Sequence, residues 1–289
     1  MIKHSELILN PDGSIFHLHL KPENISDQII LVGDPARVDT ISDFFTKIDF
    51  TTQNREFKTV TGWFNGKKLS VISTGIGTDN IDIVINELDA LVNIDLETRE
   101  IKREKKSLDI VRIGTSGGLQ KDLPVNTFVL SEKSIGFDGL LNFYASREEV
   151  SDMDFETAFR AYTRWDKSLP SPYVIDASEN LLSKFDNKEF VKGVTISAPG
   201  FYGPQGRELR LPLAHPHLNK KIEAFNYKGL RITNFEMESS AIYGLSKLLG
   251  HNALAICLII ANRVTLTANE NYRNEMKKLI AEVMEKLTL

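Results

Sequence analysis

The sequence predicts an α/β protein folded as one domain, and three observations carry that expectation. Apolar runs of strand length alternate with stretches of helical periodicity along the whole chain. No internal repeat, low-complexity linker or break in composition divides it. Its 289 residues suffice to bury one sizeable core.

Composition narrows the partners. A net charge of −4 leaves no basic excess to neutralise phosphates, which argues against a nucleic-acid partner. No apolar run approaches the roughly 20 residues that span a bilayer, so no membrane is expected. Residues 1–6 lack the basic-then-apolar layout of a signal peptide, and one cysteine precludes an internal disulfide. The expected home is the cytoplasm. Cys257 lies in the apolar run 253–261 and reads as a core thiol.

Residues 14–20 alternate apolar and polar like a short strand or extended arm, which puts His17 and His19 on one face. Without a cysteine or third histidine nearby, that pair is a poor metal site. Residues 28–33 form a β-rich run that ends in Gly33-Asp34-Pro35-Ala36-Arg37. Pro35 suits a first helical position, with Val38, Ile41, Phe44 and Phe45 on the inner face. A glycine at such a turn lets amides approach an anion, although an ordinary βα turn looks the same. The Gly-Lys-Ser/Thr ending of a Walker loop is absent.

Arg55 and Glu56 precede a hairpin: residues 57–64, Asn65-Gly66, then 69–73. Thr74-Gly75-Ile76-Gly77 leads into a helix through Ile81, Val84, Ile85 and Leu88. Residues 95–106, dense in mixed charge, read as a solvated helical extension or loop. Residues 110–113 form a buried strand running into Gly114-Thr115-Ser116-Gly117-Gly118. Arg112 inside it needs an anionic partner, either a carboxylate of the chain or a bound phosphate. Residues 127–135 read as a strand, 146–165 as mainly helical and 191–197 as a strand. The loop 198–207, with two prolines and three glycines, is shaped by its backbone. His215-Pro216-His217 reads as surface.

Residues 234–245 hold Glu236, Met237, Glu238, Ser239 and Ser240 ahead of an apolar helical pattern that Gly250 stops. Acids in a first helical turn complement its dipole. They would equally accept hydrogen bonds from vicinal sugar hydroxyls while the thioether packs on an apolar sugar face. A strand over 253–261 ends at Asn262-Arg263, and residues 270–289 close the chain as an amphipathic helix.

Gly33-Asp34-Pro35-Ala36-Arg37, Arg112-Ile113-Gly114-Thr115-Ser116-Gly117-Gly118 and Glu236-Met237-Glu238-Ser239 together resemble the nucleoside phosphorylase family. Phe201-Tyr202-Gly203-Pro204-Gln205-Gly206-Arg207 makes the chain most similar to its uridine phosphorylase branch. The motifs stand in the family's order and spread from about residue 15 to 263. The resemblance implies a single domain over 1–289, a three-layer α/β/α fold with a central mixed sheet. An N-terminal arm (1–25) and a charged insertion (95–107) elaborate it.

It also implies phosphorolysis of uridine to uracil and ribose 1-phosphate, with inorganic phosphate as co-substrate and no required cofactor or metal. Gly33, Arg37, Arg55, Arg112 and Thr115 would bind phosphate. His17, Met237 and Glu238 would bind ribose, and Phe201, Gln205, Arg207 and Glu236 the base. Arg112, Arg207 and Glu238 would carry catalysis. The implied assembly is a homo-oligomer, a dimer or a hexamer of dimers, in which His17 and Arg55 cross into a neighbour's site. A potassium ion near Glu56 at the subunit contact is implied too, with Asn80 where a serine is expected. Residues 199–200 and 203–204 depart from common family patterns, leaving the loop's path open. Purine-specific relatives carry a proton-donating aspartate near the strand end where Asn262 stands. The alternatives are a purine nucleoside phosphorylase or a nucleosidase and, from another class, a non-catalytic nucleoside-binding protein.

Overall fold

In a computed structural model, residues 1–185 and 187–289 are described. The strands are β1 (Gln28–Val32), β2 (Lys47–Asn54), β3 (Phe57–Phe64), β4 (Lys67–Ser73), β5 (Ile94–Asp95), β6 (Glu100–Ile101) and β7 (Asp109–Gly118). They continue with β8 (Phe128–Gly136), β9 (Tyr173–Asp176), β10 (Phe190–Ser197), β11 (Asn226–Tyr227), β12 (Leu230–Glu236), β13 (Asn252–Asn262) and β14 (Thr267–Ala268). The helices are α1 (Pro35–Ser42), α2 (Thr78–Asn93), α3 (Arg147–Val150), α4 (Met153–Thr163), α5 (Glu179–Lys184), α6 (Leu218–Ala224), α7 (Ser239–Leu249) and α8 (Arg273–Thr288).

One mixed sheet runs β11-β12-β10-β8-β13-β7-β1-β4-β3-β2, with β9 on β8 and β14 on β13. At its centre β7 lies between β1 and β13, parallel to both. Ile110, Val111 and Ile113 of β7 are fully buried, each stabilising the fold by about 1.5–3 kcal/mol. Strands buried on both faces read as continuous apolar runs, which is why they were legible. A second pairing, β12 antiparallel to β7, sets Asn234 opposite Gly118 and Phe235 opposite Gly117. It closes β7, β13, β8, β10 and β12 into a ring, and so brings the end of β12 against the end of β7.

Three local expectations are corrected. Residues 94–101 form a small hairpin, β5–β6, and not a helical extension. Asp95 Oδ1 accepts from the amides of Glu97 and Thr98 (3.0 and 2.8 Å), a turn that competes with helix. Residues 14–20 are not a strand. The Glu87 carboxylate, on α2, accepts from the amides of His17 and Leu18 and curls the segment. Ile15, Leu18 and Leu20 are fully buried in the main core, so the N-terminal segment packs on its own chain. The acids of the 234–245 stretch precede α7 instead of opening it: Glu236 ends β12 and Glu238 is the N-cap.

Candidate active site

A cavity of about 740 Å³ opens where β1, β7, β12 and β13 end. Ligands of α/β folds sit at the carboxyl ends of parallel strands because the following helix starts point amides there. Gly33, Arg37, Arg112, Thr115, Phe201, Gln205, Arg207, Glu236, Met237 and Glu238 all line it.

Arg112 is 4% exposed. Its Nη2 donates to Glu238 Oε2, and its Nε lies 3.5 Å from Glu236 Oε2, an ion-pair contact without hydrogen-bond geometry. Nε and Nη1 have no hydrogen-bond partner among the described residues. Burial alone would weaken its hold on the proton, but Glu238 and Glu236 keep its pKa above the ordinary arginine value. Both readings of a buried arginine therefore apply: it is ion-paired, and it retains donors for an anion. Arg37 is held by one long bond to the Ile113 carbonyl (3.4 Å). Desolvation and then the charge of Arg112 lower its pKa. Two guanidinium groups repelling each other at the end of β7, beside Thr115, make a seat for a polyanion.

Glu238 Oε1 accepts from the Gly77 amide (2.8 Å). Gly77 has φ +100°, a backbone that side-chain-bearing residues avoid, so a glycine is needed to aim that amide. Burial, against the pull of Arg112 and helped by Glu236, raises the Glu238 pKa to about 7. Glu236 turns inward. Its oxygens accept from the amides of Glu238 (2.9 Å) and Ser239 (2.9 and 3.0 Å) and from the hydroxyls of Ser197 and Ser239. Glu236 lines the same cavity as the other residues expected to bind the base, and it also braces the start of α7.

At the other wall, Arg207 stacks its guanidinium 3.8 Å from the centroid of the Phe201 ring. Its Nη1 donates to the Phe201 carbonyl (2.6 Å) and to Gln205 Oε1. Desolvation and then Arg263 lower its pKa to about 10. Two residues not singled out from the sequence fix this loop. Arg263 donates to the carbonyls of Gln205 and Gly206 (3.0 and 3.2 Å), and Asn219 Nδ2 donates to that of Gln205 (3.0 Å). A charged residue two positions beyond the apolar run 253–261 was the available signal for Arg263; none existed for Asn219.

Asn262 caps the strand end. Its Nδ2 donates to the Gln120 and Leu123 carbonyls, and its Oδ1 accepts from Val264 and Thr265 amides. His17 and Arg55 do not line the cavity. His17 Nδ1 lies 2.6 Å from Glu87 Oε1, and the Asn54 amide group donates to the His17 carbonyl (2.8 Å). Arg55 stands at φ +54° on the tip of the β2–β3 hairpin, in the same neighbourhood. A second cavity of about 700 Å³ behind the loop 199–207 is lined by Trp165, Leu169, Leu211 and Leu213; it shares Arg207 with the first, and among the described residues no carboxylate lines it.

Fold and site together set the paired guanidinium groups of Arg37 and Arg112 and the ring-stacked Arg207 in one cleft. The chain belongs to the phosphorylase superfamily, which it matches over residues 27–288. It is 28% identical to the uridine phosphorylase of Thermococcus kodakarensis over 260 residues, 88% of this chain and 79% of that one. It is 26% identical to the guanosine phosphorylase of Halorubrum lacusprofundi over 248 residues, 86% of this chain and 83% of that one. Among solved structures it resembles a Trypanosoma brucei nucleoside phosphorylase that shows uridine phosphorylase activity. There the TM-score is 0.88, with 29% identity over 97% of this chain and 99% of the other.

Proposed function

We propose that this chain is a uridine phosphorylase that converts uridine and inorganic phosphate to uracil and ribose 1-phosphate. The observation that carries the proposal is Arg112: a buried guanidinium, tied to Glu238, with donors left over beside a second guanidinium. Phosphate would lie between Gly33, Arg37, Arg112 and Thr115. Glu238 and Met237 would hold the ribose, and Phe201, Gln205 and Arg207 the uracil ring. As the glycosidic bond stretches, positive charge grows on the sugar and negative charge on the base. Phosphate stabilises the first and Arg207 the second, so positioning and electrostatics supply the catalysis.

The same cradle argues against water as the nucleophile and against a non-catalytic binder, which would need no seat for phosphate. Asn262 argues against a purine substrate, since its amide carries no titratable proton and is committed to the strand-end cap. The site is proposed to be shared between copies of the chain, paired as a dimer or as a hexamer of dimers. Its support is that His17 and Arg55 lie together outside their own chain's cavity. A potassium ion at the subunit contact near Glu56 belongs to the same proposal, since a carboxylate is a hard oxygen donor of the kind that suits it; Asn80, where a serine is expected, brings its amide nitrogen toward Gly75 and argues against it. We place the enzyme in the cytoplasm as a single domain over 1–289; no helix among the described residues is long and apolar enough to cross a membrane.

Uridine cleavage is expected to require inorganic phosphate and to yield ribose 1-phosphate. Release of free ribose at the same rate without phosphate would make the enzyme a hydrolase.

A further inference from the structure

Behind Glu236 lies a buried hydroxyl cluster for which the reaction outlined above has no use. Ser134, Tyr173, Ser197, Ser239 and Ser240 are all fully buried. Two carboxylates bound the cluster, Glu236 at the cavity and Asp138 at the far side.

Each hydroxyl has one proton, and a carboxylate only accepts, so the direction of donation is fixed. The hydroxyls of Ser197 and Ser239 both donate to Glu236 Oε1. Ser197 Oγ, its proton committed, accepts from the Ser240 amide (2.8 Å). Ser239 Oγ likewise accepts from Ser134 (2.7 Å). At the far end the hydroxyls of Tyr173 and Ser240 donate to Asp138 (2.9 and 3.1 Å). The Ser240 hydroxyl thus serves Asp138 while its amide serves Ser197. This order leaves Glu236 the acceptor in every one of its hydrogen bonds, with a set orientation.

That orientation reaches the reacting groups. Glu236 Oε2 accepts from the backbone amide of Glu238 and lies 3.5 Å from Arg112 Nε. A swing of the Glu236 carboxylate would release the N-cap residue that carries the sugar-facing carboxylate.

We infer that Ser197 is a positioning residue for phosphorolysis: its hydroxyl locks Glu236, and Glu236 in turn fixes Glu238 and Arg112 against the substrate. The inference rests on the proposed function, with Glu238 accepting from sugar hydroxyls. A misplaced Glu238 harms a substrate with vicinal hydroxyls more than one lacking the 2′-hydroxyl. Ser197→Ala therefore lowers the ratio of kcat/KM for uridine to that for 2′-deoxyuridine by roughly 10-fold, the size of one lost hydrogen bond to a charged group. The loss falls mainly on KM for uridine. Ser197→Thr, which keeps a hydroxyl, restores the ratio.

The test assays both nucleosides with inorganic phosphate for the parent and for Ser197→Ala, Ser197→Thr, Glu238→Gln and Tyr173→Phe. Glu238→Gln should lower the ratio as Ser197→Ala does. Tyr173→Phe, which also deletes a buried hydroxyl but on the Asp138 side, should leave it unmoved. Should Ser197→Ala not be recovered folded, Ser239→Ala removes the companion hydroxyl and is read in the same way. An unchanged ratio in Ser197→Ala while Glu238→Gln lowers it overturns the inference, and so does an equal fall in Tyr173→Phe. A parent that does not cleave uridine with phosphate overturns the functional reading, and the inference with it.

Discussion

Glu238 is where a single residue's environment makes a measurable claim. Its carboxyl is buried at 3% exposure between Arg112 and the Gly77 amide, and its pKa rises to about 7. Only the carboxylate form accepts from two sugar hydroxyls. As pH falls through about 7, kcat/KM for uridine should drop as Glu238 takes up a proton. Phosphate titrates in the same region, so the informative comparison is with Glu238→Gln, which should lose that part of the profile. A profile identical in parent and variant would place the limb on phosphate alone. Stability runs the other way. A carboxyl whose folded pKa is raised stabilises fully below its ordinary value near 4.5, and that contribution disappears as pH rises through about 7. Cys257 is a contrasting residue: burial pushes its thiol pKa up, so the core thiol read from the sequence is inert as well as hidden.

At the scale of an element, the loop 198–207 behaves as a built platform. Asn219 of α6 and Arg263, in the turn after β13, grip its backbone carbonyls from two sides of the chain's fold. Gly206 has φ +67°, and a Cβ there would stand 2.3 Å from Asn219 Nδ2. Gly206→Ala should therefore disturb the loop by about 1–3 kcal/mol. Because the loop edge is exposed, the expected outcome is a rise of roughly tenfold in KM for uridine with little change in Tm, a conversion at 1.4 kcal/mol per decade. Steady-state kinetics beside thermal melting checks it; a large fall in Tm with unchanged KM would assign Gly206 to folding alone. The β5–β6 hairpin does a comparable job for the N-terminal segment. Buried Arg99, at its turn, donates to the Leu7 carbonyl and accepts at its own carbonyl from the Ile2 amide (2.7 Å). The charged stretch is thus a clamp and not only a surface elaboration.

At the scale of the whole molecule, the prediction concerns pairing of chains. Arg112 belongs to the cavity of its own chain, whereas Arg55 and His17 do not. Arg55→Ala and Arg112→Ala should each be nearly inactive alone, and co-expression should restore part of the activity. In a mixed two-fold dimer one site carries both lesions and the other neither. Random pairing therefore leaves about a quarter of all sites intact. Demonstrably mixed oligomers that stay as inactive as either variant would return Arg55 to its own chain.

The sequence by itself determined the strands that are buried on both faces, because such strands need unbroken apolar runs. The apolar runs read at 28–33 and 253–261 became β1 and β13 with shifts of a residue or so at their ends; the stretch 127–135, interrupted by residues 131–134 and only partly buried at Glu132 and Lys133, became β8. The Asn65-Gly66 turn was equally legible, since it demands positive φ, and both residues have it. Residue chemistry alone also marked Arg112 as needing an anion. Tertiary structure decided what no local pattern encodes. The β12–β7 pairing, 118 residues apart along the chain at Phe235 and Gly117, turns Glu236 inward and sets Glu238 against Arg112. A long-range carboxylate, Glu87, converted an apparent strand at 14–20 into a turn. Local periodicity reports which side of an element is apolar; it carries no information on which distant group will satisfy a backbone amide or a buried charge.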